Sequence, residues 1–152
     1  MDRTERIQQI AGVVAAKGWK HEFDKDGDIV FMVDDLNYVV MVEEGDPDIA
    51  IIALANFWSI GSNDELALAR EAADFVNGRT KLVKIFTRPE DGKDVIAFIP
   101  LTGSIENIGA FFELAVSELR VCVYRFGEKM TELALRESYK RAGSKGATAW
   151  IN

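Results

Sequence analysis

The chain holds one histidine and one cysteine, so nucleophilic chemistry with an imidazole base has a single pairing available, Cys122 with His21. The thiolate would attack and the imidazole would take its proton, provided the fold sets them within hydrogen-bond reach in an electropositive setting. Cys122 stands in the apolar run Leu119–Val123 of a helical pattern, where a thiol behaves as a small buried hydrophobe. His21 lies between Trp19 and Phe23 in strand-like alternation, which reads as packing or as a half-buried hydrogen bonder. A histidine metal site needs further ligands, and none is near in sequence.

Carboxylates offer the other chemistry. Asp24-Lys25-Asp26-Gly27-Asp28 approaches a calcium loop, but that pattern needs glycine at its sixth position, where this chain has Ile29. The flanks also read as strands rather than helices. Asp34-Asp35, Glu43-Glu44, Asp46 and Asp48 form further acidic groups. Paired carboxylates can cleave glycosides or hold cations, yet Asp-rich turns account for these residues without either role. No glycine-rich phosphate loop, G-x-S-x-G or H-E-x-x-H occurs. No catalytic, cofactor-binding or metal-binding residue is therefore assigned, and the expectation is a protein that is not an enzyme and has no cofactor.

The elements that would position these residues begin with a helix. Asp2 and Glu5 have capping-box spacing, Ile7, Ile10, Ala11, Val14 and Ala15 form one apolar face, and Gly18 stops the helix. A meander of strands follows. It comprises Trp19–Asp24, Ile29–Val33, Tyr38–Val42 and the long apolar stretch Ile49–Phe57. Asp26-Gly27 predicts a two-residue type I′ hairpin, and turns are expected at Asp34–Asn37 and Glu44–Asp48. Ser62 and Glu65 open a second helix that runs to about Phe75, with Asn77-Gly78 as a left-handed stop. Strands over Lys81–Thr87 and Asp94–Leu101 come next, with Pro100 expected to end the second. A last long helix starts at the cap Ser104, its apolar positions running from Ile105 through Phe112, Leu119 and Phe126 to Leu133. About thirty residues of helix would reach ~45 Å. That exceeds a small domain, so either Gly127 breaks the helix or its end packs on another subunit.

The fold class expected is α+β, an antiparallel sheet with helices packed on one face, in the order α-β-β-β-(β)-α-β-β-α. One domain is expected over 1–142, followed by a flexible C-terminal tail over 143–152 in which Trp150-Ile151 forms an apolar tip. At 152 residues, 48% apolar and 28% charged, the chain can bury a core without staples. Its net charge of −7 and pI near 4.8 disfavour nucleic acid as a partner. The basic stretch Arg136, Lys140, Arg141 and Lys145 reads as a solvated segment. The single thiol and the lack of an apolar signal core in MDRTERIQQI give a cytoplasmic expectation, and no apolar run approaches the ~20 residues of a membrane span.

The segment Glu65–Val121 resembles the YbjN-like family, bacterial proteins proposed to act in sensory transduction. An Ala-rich helix ends at Asn77, a strand carries Lys84 and ends in the charged turn Arg88–Lys93, and a second strand ends in Ile99-Pro100-Leu101 before a long helix. The family's fold is similar to that of type III secretion chaperones, which are small, acidic, dimeric proteins that hold client segments. The resemblance implies a secretion chaperone-like fold, a homodimer, a protein client and no active site. Two functional expectations follow. One is a non-catalytic protein-interaction module, chaperone-like or regulatory, with Phe57, Trp58, Phe111 and Phe112 as candidate apolar surface. The alternative is a small-molecule-binding domain or unrecognised enzyme built on His21, Glu22 and the acidic turns.

Overall fold

The computed structural model describes residues 1–88, 90 and 92–151, with 144–151 described by backbone alone. Helix α1 (Arg3–Ala16) starts at Asp2, whose side chain accepts from the Glu5 N–H while the Glu5 carboxylate accepts from the Asp2 N–H, so both halves of the capping box form. Gly18, at φ +80°, ends it as expected.

Six strands form one antiparallel sheet in the order β1-β2-β3-β4-β6-β5. They are β1 (His21–Phe23), β2 (Ile29–Val33), β3 (Leu36–Glu43), β4 (Asp46–Ser59), β5 (Lys84–Thr87) and β6 (Asp94–Leu101). Between β4 and β5 lies helix α2 (Asn63–Asn77), and after β6 comes α3 (Ile105–Ile151). The expected α+β class and element order are those observed. The expected tail over 143–152, with its Trp150-Ile151 tip, lies from 144 on outside the residues whose side chains are described.

The turns depart from expectation in an instructive way. Asp24 and Asp28 pair across the first hairpin, the Gly27 N–H donates to the Asp24 carbonyl, and Gly27 alone has positive φ, at +79°. That is a three-residue loop with a left-handed glycine, not the type I′ turn expected at Asp26-Gly27. Positive φ at both central positions occurs instead at Asp34 (+49°) and Asp35 (+63°), which join Val33 to Leu36. Short polar Asp side chains tolerate that conformation without glycine.

One face of the sheet carries the core. Ile29, Phe31, Tyr38, Val40, Ile52, Leu54, Ile85, Ala97 and Ile99 point to the helices and are buried. Phe31 stacks between Trp19 (5.6 Å) and Tyr38 (5.3 Å), with Phe112 of α3 at 5.8 Å. The Tyr38 hydroxyl donates to the Val116 carbonyl, which fastens α3 to the middle of the sheet. In β4 the register slips between Ala55 and Ser59, where Asn56 takes φ +57°. This bulge turns two consecutive rings, Phe57 and Trp58, onto Phe126 of α3. Gly127 does not break α3. Its missing Cβ faces Trp58 at a distance of ordinary contact, 3.8 Å, and the helix runs on.

Pro100 does not end β6, since it pairs with Ile51 within the strand and Leu101 follows. The reason is lateral. β5 pairs with β6 only from Val95 to Phe98, so at Pro100 the β5 side of β6 has no strand to receive an N–H.

Candidate functional site

The residues that could carry chemistry are not gathered at one place. His21 makes an edge-to-face ring contact with Phe23 on β1, whereas Cys122 is fully buried in α3. Burial pushes the Cys122 thiol up, against a smaller opposing effect from the Thr80 hydroxyl, so the thiolate is disfavoured. His21 and Glu22 are consecutive on a strand and project to opposite faces. The Asp34-Asp35 turn and the Glu43–Asp48 turn lie at opposite ends of β3.

One acidic cluster does form among the described residues. The carboxylates of Asp24, Asp26 and Asp28 offer oxygens within 4.8 Å of one another. The hairpin explains it. Asp24 Oδ1 accepts from the N–H groups of Asp26 and Asp28, and Asp28 Oδ1 accepts from Arg3 Nη2 at 3.0 Å. Desolvation, reinforced by Asp24, raises the Asp28 carboxyl above its ordinary value despite Arg3. Arg3 also donates to the carbonyls of Val42 and Asp26, so the cluster serves to tie α1 to two hairpins.

A buried guanidinium escaped sequence reasoning. Arg6, 4% exposed, donates to the carbonyls of Gly103 (2.7 Å) and Asp48 (3.4 Å), and so joins α1 to the starts of α3 and β4. Its Nε, like the buried Oε1 of Gln9, has no hydrogen-bond partner among the described residues. The helical spacing of Arg6 with Ile10 placed it on the apolar face, and that was the available signal.

The four aromatics considered as binding surface are largely internal. Phe112 is fully buried, and Phe57, Trp58 and Phe111 pack against the core. The uncovered apolar surface is elsewhere, on the sheet face opposite the helices. Alternation and register place Val30 and Met32 of β2, Val39 and Met41 of β3, Ile51, Ala53 and Ala55 of β4, and Ile96 and Phe98 of β6 there together. Phe86 of β5 adds its ring to Phe98, edge to face at 5.7 Å. Met32 is 55% exposed and Phe86 39%. Asn37 of β3 lies within the face beside Met32, and Glu22 and Lys84 stand on its two edge strands. A hollow of about 410 Å³ at one end has Met41, Ile49 and Ile51 as its floor and Asp28, Glu43 and Asp46 at its rim. Its ionisable groups, Asp28, Glu43 and Asp46, are all acidic.

The outer edge of β5 is closed by side chains. Asn77, the last residue of α2, donates from Nδ2 to the Ile85 carbonyl and accepts the Ile85 N–H on Oδ1, both at 2.8 Å. Thr80 Oγ1 accepts the Val83 N–H. Asn77 thus acts through its side chain and is not the left-handed stop expected of it. Its φ is not positive, and the cap is Gly78 at φ −70°.

With this geometry in hand, comparison with known proteins adds the following. No family model and no curated protein matches the chain. Among solved structures, YbjN of E. coli, a suggested transcription regulator, aligns with TM-score 0.60 and 11% identity over 77% of this chain and 87% of that one. An uncharacterized protein from Methanothermobacter thermautotrophicus aligns with TM-score 0.49 and 14% identity, over 87% of this chain and 98% of that one. The Yersinia pestis type III secretion chaperone SycH, solved with a fragment of YscM2, aligns with TM-score 0.47 and 7% identity over 77% and 98%. The YbjN-like resemblance read on Glu65–Val121 therefore holds at the level of fold. No helix among the described residues is long and apolar enough to cross a membrane.

Proposed function

We propose that the protein is a non-catalytic protein-interaction module, chaperone-like or regulatory, that works through the uncovered face of its sheet. The observation that carries this reading is the patch of apolar side chains spread over five adjacent strands, from Val30 and Met32 on β2 to Phe86 on β5, on a face that no helix covers. Contiguous apolar patches beyond a few hundred Å² are uncommon on soluble monomers and mark surfaces that meet other proteins. The dispersal of His21, Glu22, Cys122 and the acidic turns supports the non-catalytic half of the reading. A cytoplasmic homodimer with a protein client suits the acidic, single-thiol chain. Strand addition at β5 is disfavoured by Asn77, so the face rather than that edge is the binding element.

The test is site-specific cross-linking in the native cell extract. A photo-activatable side chain at Met32 should capture polypeptide, and one at Tyr124, on the exposed side of α3, should not. Equal capture at both positions, or none at Met32, removes the face from the proposal.

A further inference from the structure

We propose that Asn77-Gly78 is a site of spontaneous deamidation, and that the conversion opens the outer edge of β5 in one direction only. It is the one Asn-Gly pair in the chain. Asparagine is among the thermolabile residues, and glycine carries no Cβ, so attack by the following backbone nitrogen is least hindered in this pair.

The Gly78 nitrogen gives up its proton and attacks Cγ of Asn77. A C–N bond forms, the Cγ–Nδ2 bond breaks, and the side-chain nitrogen takes up a proton and leaves as ammonia. The cyclic imide that results takes up one water. Opening at one carbonyl gives aspartate at this position. Opening at the other gives isoaspartate, in which the main chain runs through the former side chain. Asparagine and water thus become an acid and ammonia, with no oxidant or reductant needed.

The closed fold withholds both reacting groups. The Gly78 N–H donates to the Asp74 carbonyl at 3.1 Å, and the Asn77 amide is held by its two bonds to Ile85, each 2.8 Å long. Cyclisation therefore starts from a local opening, in which the last turn of α2 parts from β5. That opening is small. Asn77 is the last residue of its helix, and β5 has four residues and pairs with one strand. Fraying of such an end costs less than global unfolding. Asn77 and Gly78 also line a hollow of about 600 Å³ with Asp74, Arg79 and Lys129, which gives water a path to the imide.

The products cannot restore the closed edge. Both lack the Nδ2 donor, so the Ile85 carbonyl loses its partner. Isoaspartate also misplaces the oxygen that accepts the Ile85 N–H. Each product adds a negative charge at the C-terminus of α2, where the helix dipole already concentrates negative charge. The freed groups of Ile85 are those that an edge strand offers to another chain.

Ageing of the purified full chain at physiological temperature, followed by peptide mass mapping and isoaspartate detection, tests the proposal. Asn77 should convert ahead of Asn37, Asn56, Asn63 and Asn107, and more slowly than in the chain unfolded in urea. The converted fraction, separated by its extra charge, should show faster amide exchange at Ile85 than fresh protein. Gly78→Ala should slow the conversion several-fold and keep the Ile85 protection, because Gly78 has a φ of −70° and an added Cβ would meet the Asp74 carbonyl at an ordinary 3.5 Å. Thr80→Ala, which strips the acceptor from the Val83 N–H in the turn before β5, should speed it. A native chain that keeps Asn77 while the unfolded chain converts overturns the site. Equal rates in wild type and Gly78→Ala overturn the chemistry, and a Thr80→Ala rate no faster than wild type overturns the gate. A converted fraction with the Ile85 protection of fresh protein overturns the opening of the edge.

Discussion

Asn77 holds Ile85 by both of its outward backbone groups, with two hydrogen bonds of 2.8 Å from one side-chain amide. The amide takes the place that another strand would occupy beside β5. Asn77→Ala strips the edge and leaves a half-buried N–H and C=O to find water. Stability to denaturant should fall by about 1–3 kcal/mol, and the Ile85 amide should exchange faster than its neighbours on β6. Asn77→Asp, which keeps the acceptor and loses the donor, should fall between. Unchanged protection at Ile85 in the alanine variant would show that the amide does not guard the edge.

Tyr38 gives the protein an alkaline limit. The ring is fully buried, and desolvation raises its hydroxyl from 10.0 to about 12. The sign follows from linkage. The folded state holds the phenol proton more tightly than the unfolded chain, so the stabilisation is complete below pH 10 and is lost as pH rises from there to about 12. The loss should come to roughly 2–3 kcal/mol over that window. Tyr38→Phe should cost about 1 kcal/mol at neutral pH by removing the bond to Val116 and should flatten the alkaline slope relative to wild type. Parallel slopes for the two proteins would count against this assignment. Cys122 titrates in both and cancels.

Gly12 and Gly127 stand inside helices without steric need. A Cβ at Gly12 meets nothing within 4 Å, and at Gly127 it meets Trp58 at an ordinary 3.8 Å. Gly12→Ala should therefore stabilise the protein by about 0.5–1 kcal/mol through helix propensity alone. Gly127→Ala should share the sign, whereas Gly127→Leu should drive into Trp58 and destabilise. Thermal unfolding of the three variants checks the order.

Beyond Leu133 the exposed part of α3 is held to α2 by Arg136, which donates to both Glu71 oxygens at 2.8 and 2.9 Å. Arg136 keeps the Glu71 carboxyl below its ordinary range. That contribution is present above the carboxyl's unfolded value and fades as pH falls through the lower folded one. Glu71→Gln should leave global stability nearly unchanged and speed amide exchange in residues 134–143. Exchange confined to its wild-type rate there would mean that the pair has no anchoring role.

The periodic features of this fold were legible and the lateral ones were not. The Asp2–Glu5 box, the α1 stripe and the span of β6 follow from spacing along one element, and spacing is what a sequence displays. Asp26-Gly27 misled because a single left-handed glycine serves two hairpin loops equally well, and loop length depends on the register across the strands. Asn77 was read as a stop because its partner, Ile85, is fixed only when α2 docks on β5. The second capping box is half formed for a similar reason. Ser62 accepts from Glu65 as expected, but the Glu65 carboxylate turns to Gly61 and Trp58. The uncovered face was missed because Val30, Val39, Ala53 and Phe98 become neighbours only through pairing, and each alone reads as one residue of a half-buried strand.

The crossover between β4 and β6 governs how the chain reaches this state. β1 to β4 are joined by short turns and pair locally, and β5 pairs with the next strand, β6. The two blocks meet only along β4–β6, where Ala50 pairs with Leu101 and Ser59 with Asp94, across the intervening α2 and β5. Closing that gap costs loop entropy before any contact repays it. The folding barrier should therefore fall at the seam. Substitutions at Ile52 or Ile99 should slow folding itself, whereas those within the first hairpin should act mainly on the rate of unfolding.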